Sequence, residues 1–283
     1  MRIPRPIAPL PAALLSFTLA LSAPWATPAD SGAPASVDAV PDRSVDEVFD
    51  CVKQNTPGES SEQVVEFTAV DRIGGKRVSR AKILGKRFQE DAMRRVLLRF
   101  TKPLEIRGSA FLAIEQDEGS PDMFLYTPEM RKTKRVTGQG GGGKLFGTDF
   151  SYEDFSRWQG LNQPGSSRRL PDAVESGQPV WVVETRPGNK EVSSYERVVF
   201  FVDQETCVAL KTESYERGEK PRKILTANPG QLLEEGGVWF ASELLMRDLR
   251  DETHTQVLVE DVEVDRGLKD SDFSLSKLER RGR

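Results

Sequence analysis

The stretch GQGGGGKLFGTDFSYEDF, residues 138–155, holds residue types whose spacing could do chemistry. Its first seven residues fit G-x-x-x-x-G-K, the Walker A pattern of a phosphate-binding loop without the closing Ser or Thr. Such a loop needs a buried strand before it and a helix after it, because the loop and helix N–H groups hold the phosphates. Here charged residues 130–137 precede the glycines, Leu145 stands at the Ser/Thr position, and Gly147 lies where a helix should begin. The sequence therefore indicates a glycine-rich surface loop and no nucleotide site.

Acidic side chains and a histidine offer two other kinds of chemistry. Asp149, Glu153 and Asp154 cluster in the same stretch and could imitate the carboxylate pair of a glycosidase. The single histidine, His254, lies in a charged, strand-like segment and lacks the G-x-S-x-G partner of a hydrolase triad. We therefore expect no enzyme, no cofactor and no metal site. A hydrolase built on the acidic cluster is the alternative, and full activity after Asp149→Asn together with Asp154→Asn would eliminate it.

The N-terminal residues are typical of a secretory signal peptide. A short segment with two arginines is followed by a mainly apolar run over residues 10–23 and then by a zone of small residues. The apolar run is shorter than the roughly 20 residues that span a bilayer. We expect a cleaved signal peptide over residues 1–29, a flexible leader over 30–43 and a soluble, exported domain over 44–283. A single N-terminal anchor helix is the alternative.

The charge is nearly balanced, with 40 basic and 44 acidic side chains and a net charge of -4. A mildly acidic chain with mixed charges argues against nucleic-acid binding. The basic run RKTKRV, which includes Arg131 and Arg135, is a local exception that could contact anionic lipid headgroups or a protein partner. The same charges could instead protect a solvated strand edge from aggregation.

Two cysteines, Cys51 and Cys207, make up the cysteine content of the chain. An even number of cysteines in an exported protein predicts a disulfide. A bridge between them would enclose a loop of about 155 residues and contribute roughly 5 kcal/mol at most. Two unrelated buried thiols are the alternative.

The apolar pattern predicts a mainly β protein that begins with a helix. Residues 44–55 place valines at helical spacing on one face, with Ser44 as the N-cap and Glu47 completing a capping box. Further along, runs rich in β-branched and aromatic residues are separated by turn residues such as Gly74. We count about ten or eleven strands in an antiparallel meander, with a second short helix around residues 152–159. So many strands predict either a barrel or half-barrel around an apolar interior, or a packed β-sandwich, and the periodicity leaves both open.

Three motifs between residues 100 and 155 occur in an order typical of one family. They are Arg107-Gly108, Tyr126-Thr127-Pro128 followed by Arg131 and Arg135, and Gly147-Thr148-Asp149-Phe150-Ser151-Tyr152-Glu153-Asp154. Together with the closing DSDFSLSKL, residues 270–278, they resemble the outer-membrane lipoprotein-sorting protein family within the LolA/LppX/RseB-like superfamily. The chain is longer than close relatives of LolA, and the motifs point to no particular ligand.

The resemblance implies an incomplete, strongly curved antiparallel β-barrel whose open side is plugged by helices and loops. It also implies a periplasmic carrier of lipid or lipoprotein acyl chains that serves an RND-type lipid exporter or an outer-membrane acceptor, with transient membrane contact. Neither nucleic acid nor a nucleotide is an expected partner, and a monomer is expected. The alternative is an RseB-like sensor or interaction module, which shares the fold and binds a protein partner.

The candidate site residues come from the apolar strand faces and the glycine-rich loop. The expected cavity-lining residues are Phe67, Leu98, Phe100, Phe111, Leu125, Val182, Phe201, Trp239 and Leu245. The candidate lid loop consists of Gly138, Gly140, Gly141, Gly142 and Gly143. Arg131 and Arg135 are the candidates for contact with a headgroup or a partner.

Overall fold

A computed structural model describes residues 43–161, 165–188 and 193–279 of the chain. These residues contain fifteen β-strands and three α-helices. The helices are α1 (Val45–Gln54), α2 (Tyr152–Trp158) and α3 (Leu275–Glu279). The strands are β1 (Ser60–Val70), β2 (Lys76–Arg87), β3 (Arg94–Lys102), β4 (Ala110–Ile114), β5 (Asp122–Thr127), β6 (Lys132–Val136), β7 (Gly165–Glu175), β8 (Gln178–Pro187), β9 (Arg197–Asp203), β10 (Ala209–Glu216), β11 (Lys220–Ala227), β12 (Leu232–Glu235), β13 (Val238–Ala241), β14 (Glu243–Asp248) and β15 (Thr253–Val264). The predicted signal peptide and the predicted leader lie outside the described residues, except for Arg43. Among the described helices, none is long and apolar enough to cross a membrane.

Thirteen of the described strands form one antiparallel sheet. Its strand order is β6-β5-β4-β3-β2-β1-β15-β14-β11-β10-β9-β8-β7, and β12 pairs with β13 in a separate hairpin. One core cluster contains side chains from both halves of this order, from Met123 on β5 to Val180 on β8, which a strongly curved sheet brings together. Because β6 and β7 remain free edges, the barrel is not closed. The predicted incomplete antiparallel barrel is confirmed.

The strand count exceeds the predicted ten or eleven for three reasons. The short, mostly exposed strand β12 pairs with β13 outside the large sheet. The apolar run over residues 238–248 forms two strands, because the chain leaves one hairpin at Ser242 and joins the large sheet. The basic segment 132–136 and the polar segment 165–175 are the edge strands β6 and β7, which are too exposed to show apolar alternation. Charged side chains on edge strands protect a sheet from pairing with other molecules.

Apolar alternation places one face of each central strand in the interior. On β1, Val65 and Phe67 are buried, whereas Glu66 between them is half-exposed. Their cross-strand partners on β15, Val259 and Val257, are buried as well. This pairing joins the first strand to the last and continues the apolar inner face from one half of the sheet to the other.

The segment between the two edge strands plugs the open side of the sheet. β6 and β7 are consecutive in sequence, and between them the chain forms a 3₁₀ helix, Gly138–Gly142, and then α2. Every residue of α2 from Tyr152 to Ser156 is buried. Phe150 and Phe155 pack edge-on against phenylalanines of the sheet. The expected second helix is therefore confirmed, and it lies inside the curve of the sheet.

Helix α1 packs against a different part of the sheet. Ser44 and Glu47 form the predicted capping box, and Val48 packs against side chains of β8 and β9. Cys51 forms a disulfide with Cys207, with their Cα atoms 5.6 Å apart. The predicted helix and the predicted bridge are both confirmed.

The closing segment covers the outer face of β3 and β4. Phe273 and Leu278 are buried in a cluster with Leu97 and Leu112, which point away from the inner face. Arg99 donates hydrogen bonds at 3.1 Å to carbonyl oxygens of α3, which ties the C-terminal helix to the sheet.

Candidate functional site

A cavity of about 510 Å³ lies between α1, the C-terminal end of α2 and the inner face of the sheet. Its apolar wall includes Phe49, Phe200, Leu225, Trp239, Leu244 and Met246. Its polar end includes Gln63, Arg87, Arg94, Glu115 and Ser120. The cavity therefore has one polar end and an apolar wall.

Strand alternation determines which sheet residues reach the apolar wall. Phe200 on β9 lines the cavity, while Phe201 next to it points to the opposite face. The register pairs Phe200 with Thr212 on β10, and Thr212 with Leu225 on β11. Leu225 in turn pairs with Met246 on β14, so one row of side chains crosses four strands under the cavity.

Two sets of bonds hold α1 over this row. The disulfide joins Cys51 of α1 to Cys207, in the turn between β9 and β10. Asn55, directly after the helix, accepts a hydrogen bond from the Trp239 backbone N–H at 2.7 Å and donates one to the Trp239 carbonyl oxygen at 3.0 Å. The helix end is thereby docked on the β12–β13 hairpin, and both elements contribute to the apolar wall.

The polar end of the cavity contains Arg94, the first residue of β3. Only 3% of its surface is exposed, and its Nε and Nη1 atoms have no hydrogen-bond partner. Burial and the nearby charge of Arg87 lower the pKa of Arg94 to about 10, although Glu115 acts in the opposite direction. The side chain is therefore charged at neutral pH.

Asp154 of α2 is the centre of a buried charged network beside the cavity. It accepts hydrogen bonds from the Tyr195 hydroxyl at 2.8 Å, from Lys223 Nζ at 2.7 Å and from the Ser151 backbone N–H at 2.8 Å. Burial alone would raise the pKa of Asp154, but the charges of Lys223 and Arg157 and the hydrogen bonds hold it below its usual value. Burial and the nearby carboxylates raise the pKa of Tyr195 well above its ordinary value. The network fixes α2 to β11 through an ionised carboxylate.

The other two carboxylates of the acidic cluster are also engaged. Glu153 accepts hydrogen bonds from Arg157 at 2.8 Å and from the Ser193 hydroxyl at 2.5 Å. Asp149 accepts hydrogen bonds from the Thr253 and Thr255 hydroxyls of β15. Asp149 and Asp154 therefore attach the plug segment to the sheet, whereas Glu153 attaches it to the loop before β9.

The glycine-rich stretch lies beside the cavity. Gly141, within the 3₁₀ helix Gly138–Gly142, lines it. Lys144, at the lysine position of the Walker A pattern, forms an ion pair with Asp251 at 3.0 Å. Phe146 has a left-handed backbone conformation, so the chain after the lysine turns where a phosphate loop would start a helix.

Of the nine predicted lining residues, Trp239 is placed on the cavity wall. Others lie in the packed core beside α2, namely Phe67, Leu98, Phe100, Phe111 and Leu125. There, aromatic residues of the plug cover the sheet, as Tyr152 does when it stacks on Phe111 with ring centroids 5.1 Å apart. Beside α2, the inner face of β1–β5 is thus filled by protein side chains, whereas Gln63, Arg87 and Arg94 at the ends of β1–β3 line the cavity.

The remaining three predicted lining residues, Val182, Phe201 and Leu245, lie on lining strands but out of phase with the cavity. Leu245, for example, lies between Leu244 and Met246, and both of these neighbours line the cavity. Because side chains alternate along a strand, a shift of one residue moves a side chain to the other face.

The family-motif residues outside the plug serve the packing of β3–β5. Gly108 has φ +88° and donates its N–H to the Phe100 carbonyl oxygen at 2.8 Å. A side chain there would meet Pro128 at 3.4 Å, so the Arg-Gly and Tyr-x-Pro motifs pack against each other. Tyr126 is buried in the outer cluster, whereas Arg107 is exposed.

The two candidate headgroup residues lie on the β5–β6 hairpin at the sheet edge. Arg131 is exposed in the turn, and Arg135 forms an ion pair with Asp122. Neither side chain reaches the cavity wall.

Sequence reasoning missed Arg94 and most of the apolar wall. For Arg94 a signal is present, because it shares its strand face with Leu98 and Phe100, both buried. For the wall no such signal exists, since Phe200 and Phe201 are equally apolar neighbours and the pattern does not decide between them.

Known proteins share this fold. A family model described as "-like: Uncharacterized protein" matches residues 92–280. The structure is similar to that of an outer membrane lipoprotein-sorting protein domain from Vibrio parahaemolyticus, with a TM-score of 0.74, 24% identity and coverage of 83% of this chain and 97% of that chain. It is also similar to a DUF1329 family protein from Desulfovibrio piger, with a TM-score of 0.75, 20% identity and coverage of 83% and 98%. A LolA superfamily protein from Nitrosomonas europaea gives a TM-score of 0.65, 17% identity and coverage of 83% and 99%.

No curated protein matches the chain in sequence. The structural neighbours establish the fold, and the family model spans more than half of the chain. The chain belongs to the family of that model, and it shares its fold with the lipoprotein-sorting domain and the LolA superfamily protein.

Proposed function

We propose that the chain is a carrier that shields lipid or lipoprotein acyl chains in its cavity. The cavity itself is the observation that supports this most, since about 510 Å³ lie against an apolar wall. Ligand sites of about 300–1,000 Å³ with mainly apolar linings are typical of small-molecule binding. Each buried methylene contributes about 0.8 kcal/mol, so ten methylenes contribute about 8 kcal/mol.

The likeness to lipoprotein-sorting and LolA superfamily proteins supports acyl chains as the cargo. The proposal places the chain in the periplasm after removal of the signal peptide and includes no catalytic step. An RND-type exporter or an outer-membrane acceptor is the proposed partner, and the exposed Arg131 is a proposed contact for an acidic surface of that partner.

The glycine-rich loop is the proposed lid of the cavity. Gly141 lines the cavity, and the loop is continuous with α2, which plugs the sheet. A loop with few side chains can change its backbone without repacking a core, which suits the uptake and release of cargo.

Filling the apolar wall is expected to weaken lipid binding by about ten-fold or more, because added side-chain volume competes with the cargo for the same space. Leu225→Trp tests this, since Leu225 is half-buried and faces the cavity. Titration with phospholipid and with an acylated peptide, followed by native mass spectrometry, measures the loss. Leu258→Trp on β15 is the matched control, because Leu258 is exposed.

Native mass spectrometry and lipid extraction of protein purified from the periplasm test the proposal directly. We expect a co-purifying lipid or acylated molecule. The carrier function is wrong when nothing co-purifies and neither added phospholipid nor acylated peptide binds.

A further inference from the structure

The guanidinium group of Arg94 lies over the backbone of the neighbouring strand. A Cβ atom at Gly85 of β2 would stand 2.7 Å from Arg94 Nη2 and 3.2 Å from the Ser61 hydroxyl. At the first distance a Cβ atom would displace the guanidinium, so glycine at this position leaves the room that the guanidinium occupies. The Arg94 side chain therefore packs against the backbone of β2 at Gly85.

This buried charge lacks the compensation that other buried charges in the cavity have. Lys223 is paired with Asp154, and Arg157 with Glu153. Among the described residues no ion pair joins the Arg94 guanidinium, and its Nε and Nη1 atoms are without hydrogen-bond partners. An unpaired buried charge is costly, and an anionic group bound beside it would offset that cost.

The surroundings of Arg94 increase the local positive charge. Arg87, its cross-strand partner in the β2–β3 ladder, also lines the cavity. Gln63 and Ser120 add neutral polar groups at the same end. The Glu115 carboxylate accepts a hydrogen bond from the Arg94 backbone N–H at 2.8 Å. Arginine N–H groups are well suited to phosphate oxygens, and a site with low exposure strengthens such contacts.

We propose that Arg94 binds the phosphate group of a phospholipid whose acyl chains occupy the apolar wall of the same cavity. The inference rests on the proposed carrier function and specifies that the cargo carries a negatively charged phosphate group. Arg94 then discriminates between amphiphiles with identical chains and different headgroups.

The test compares phosphatidylglycerol with diacylglycerol of the same acyl chains, using the delipidated chain and native mass spectrometry. We expect the wild type to bind phosphatidylglycerol about ten- to a hundred-fold more tightly than diacylglycerol. Arg94→Met should abolish this preference, because the binding of phosphatidylglycerol falls to the level of diacylglycerol. Arg94→Lys should keep part of the preference, because it preserves the charge but loses the planar group of donors.

Arg95→Met is the matched control. Arg95 is the next residue on the same strand and stacks on Phe88 of the outer cluster, so its replacement should leave the preference intact. Thermal unfolding of the lipid-free protein gives a second measurement. Arg94→Met should be at least as stable as the wild type, because it removes an uncompensated charge.

Different outcomes separate the two proposals. Equal affinity of the wild type for both lipids overturns the role of Arg94 and leaves the carrier function standing. Failure of both lipids to bind overturns the carrier function. Stabilisation by inorganic phosphate that depends on Arg94, without any headgroup preference, assigns the site to a free anion and overturns the phospholipid assignment.

Discussion

Removing the disulfide, by Cys51→Ser together with Cys207→Ser, is expected to lower the free energy of unfolding by about 3–5 kcal/mol. The bridge joins residues 156 positions apart, and closing so long a loop restricts the unfolded chain strongly. It also holds α1 over the apolar wall, together with the pair of hydrogen bonds between Asn55 and Trp239. We therefore expect weaker lipid binding in the same variant. Urea unfolding and lipid titration measure the two effects.

Reductant supplies the control for this prediction. It should destabilise the wild type to the level of the double-serine variant and leave the variant itself unchanged. An unfolding midpoint of the wild type that does not move, once both thiols are shown to be free, would contradict a stabilising bridge.

Asp154→Asn is expected to lower the free energy of unfolding by about 3 kcal/mol, because it leaves Lys223 buried without its carboxylate. The loss should be smaller when Asp154→Leu is combined with Lys223→Met, since that change removes both charges. Asp122→Asn is a control with the same chemistry in the exposed pair with Arg135, where we expect less than about 1 kcal/mol. Chemical unfolding at neutral pH checks all three. An equal loss in the Asp154 and Asp122 variants would show that burial of the pair is not decisive.

The same network predicts how stability depends on pH. The pKa of Asp154 is lower in the folded protein than in an unfolded chain, so its contribution is present above the unfolded value of about 4 and is lost as the pH falls further. The wild type should therefore lose more stability than Asp154→Asn as the pH falls from about 5 into the acid range. Parallel stability profiles of the two proteins would exclude Asp154 as a source of acid sensitivity.

The sequence predicts those parts of the fold that local patterns determine. The valine stripe with Ser44 and Glu47 gives α1 its position and its cap. The alternation in β1 and the turn at Gly74 define the first hairpin. Edge strands such as β7 escape prediction, because neither of their faces is buried and their pairing is set by the neighbouring strand.

The candidate site is harder to predict, because it depends on which of two apolar faces turns inward. Leu244, Leu245 and Met246 are consecutive apolar residues, and only the register with β11 and β15 decides which of them face the cavity. The acidic cluster illustrates a second difficulty. Asp149 and Asp154 suggest catalysis in the sequence, whereas their partners Thr255 and Lys223 are about 70 to 106 residues away and become visible only in the fold.

The pairing of β1 with β15 has a consequence for how the chain folds. Across this seam Asp265 accepts a hydrogen bond from the backbone N–H of Glu59, 206 residues away. The strands on either side form two meanders with local pairings, β1–β6 and β7–β11, whereas the seam requires closure of nearly the whole chain and should form late. Until β15 is in place, β1 and β14 are open edges that other molecules can pair with. A chain truncated before Thr253 should therefore aggregate, and the last long strand is the element that completes the inner surface.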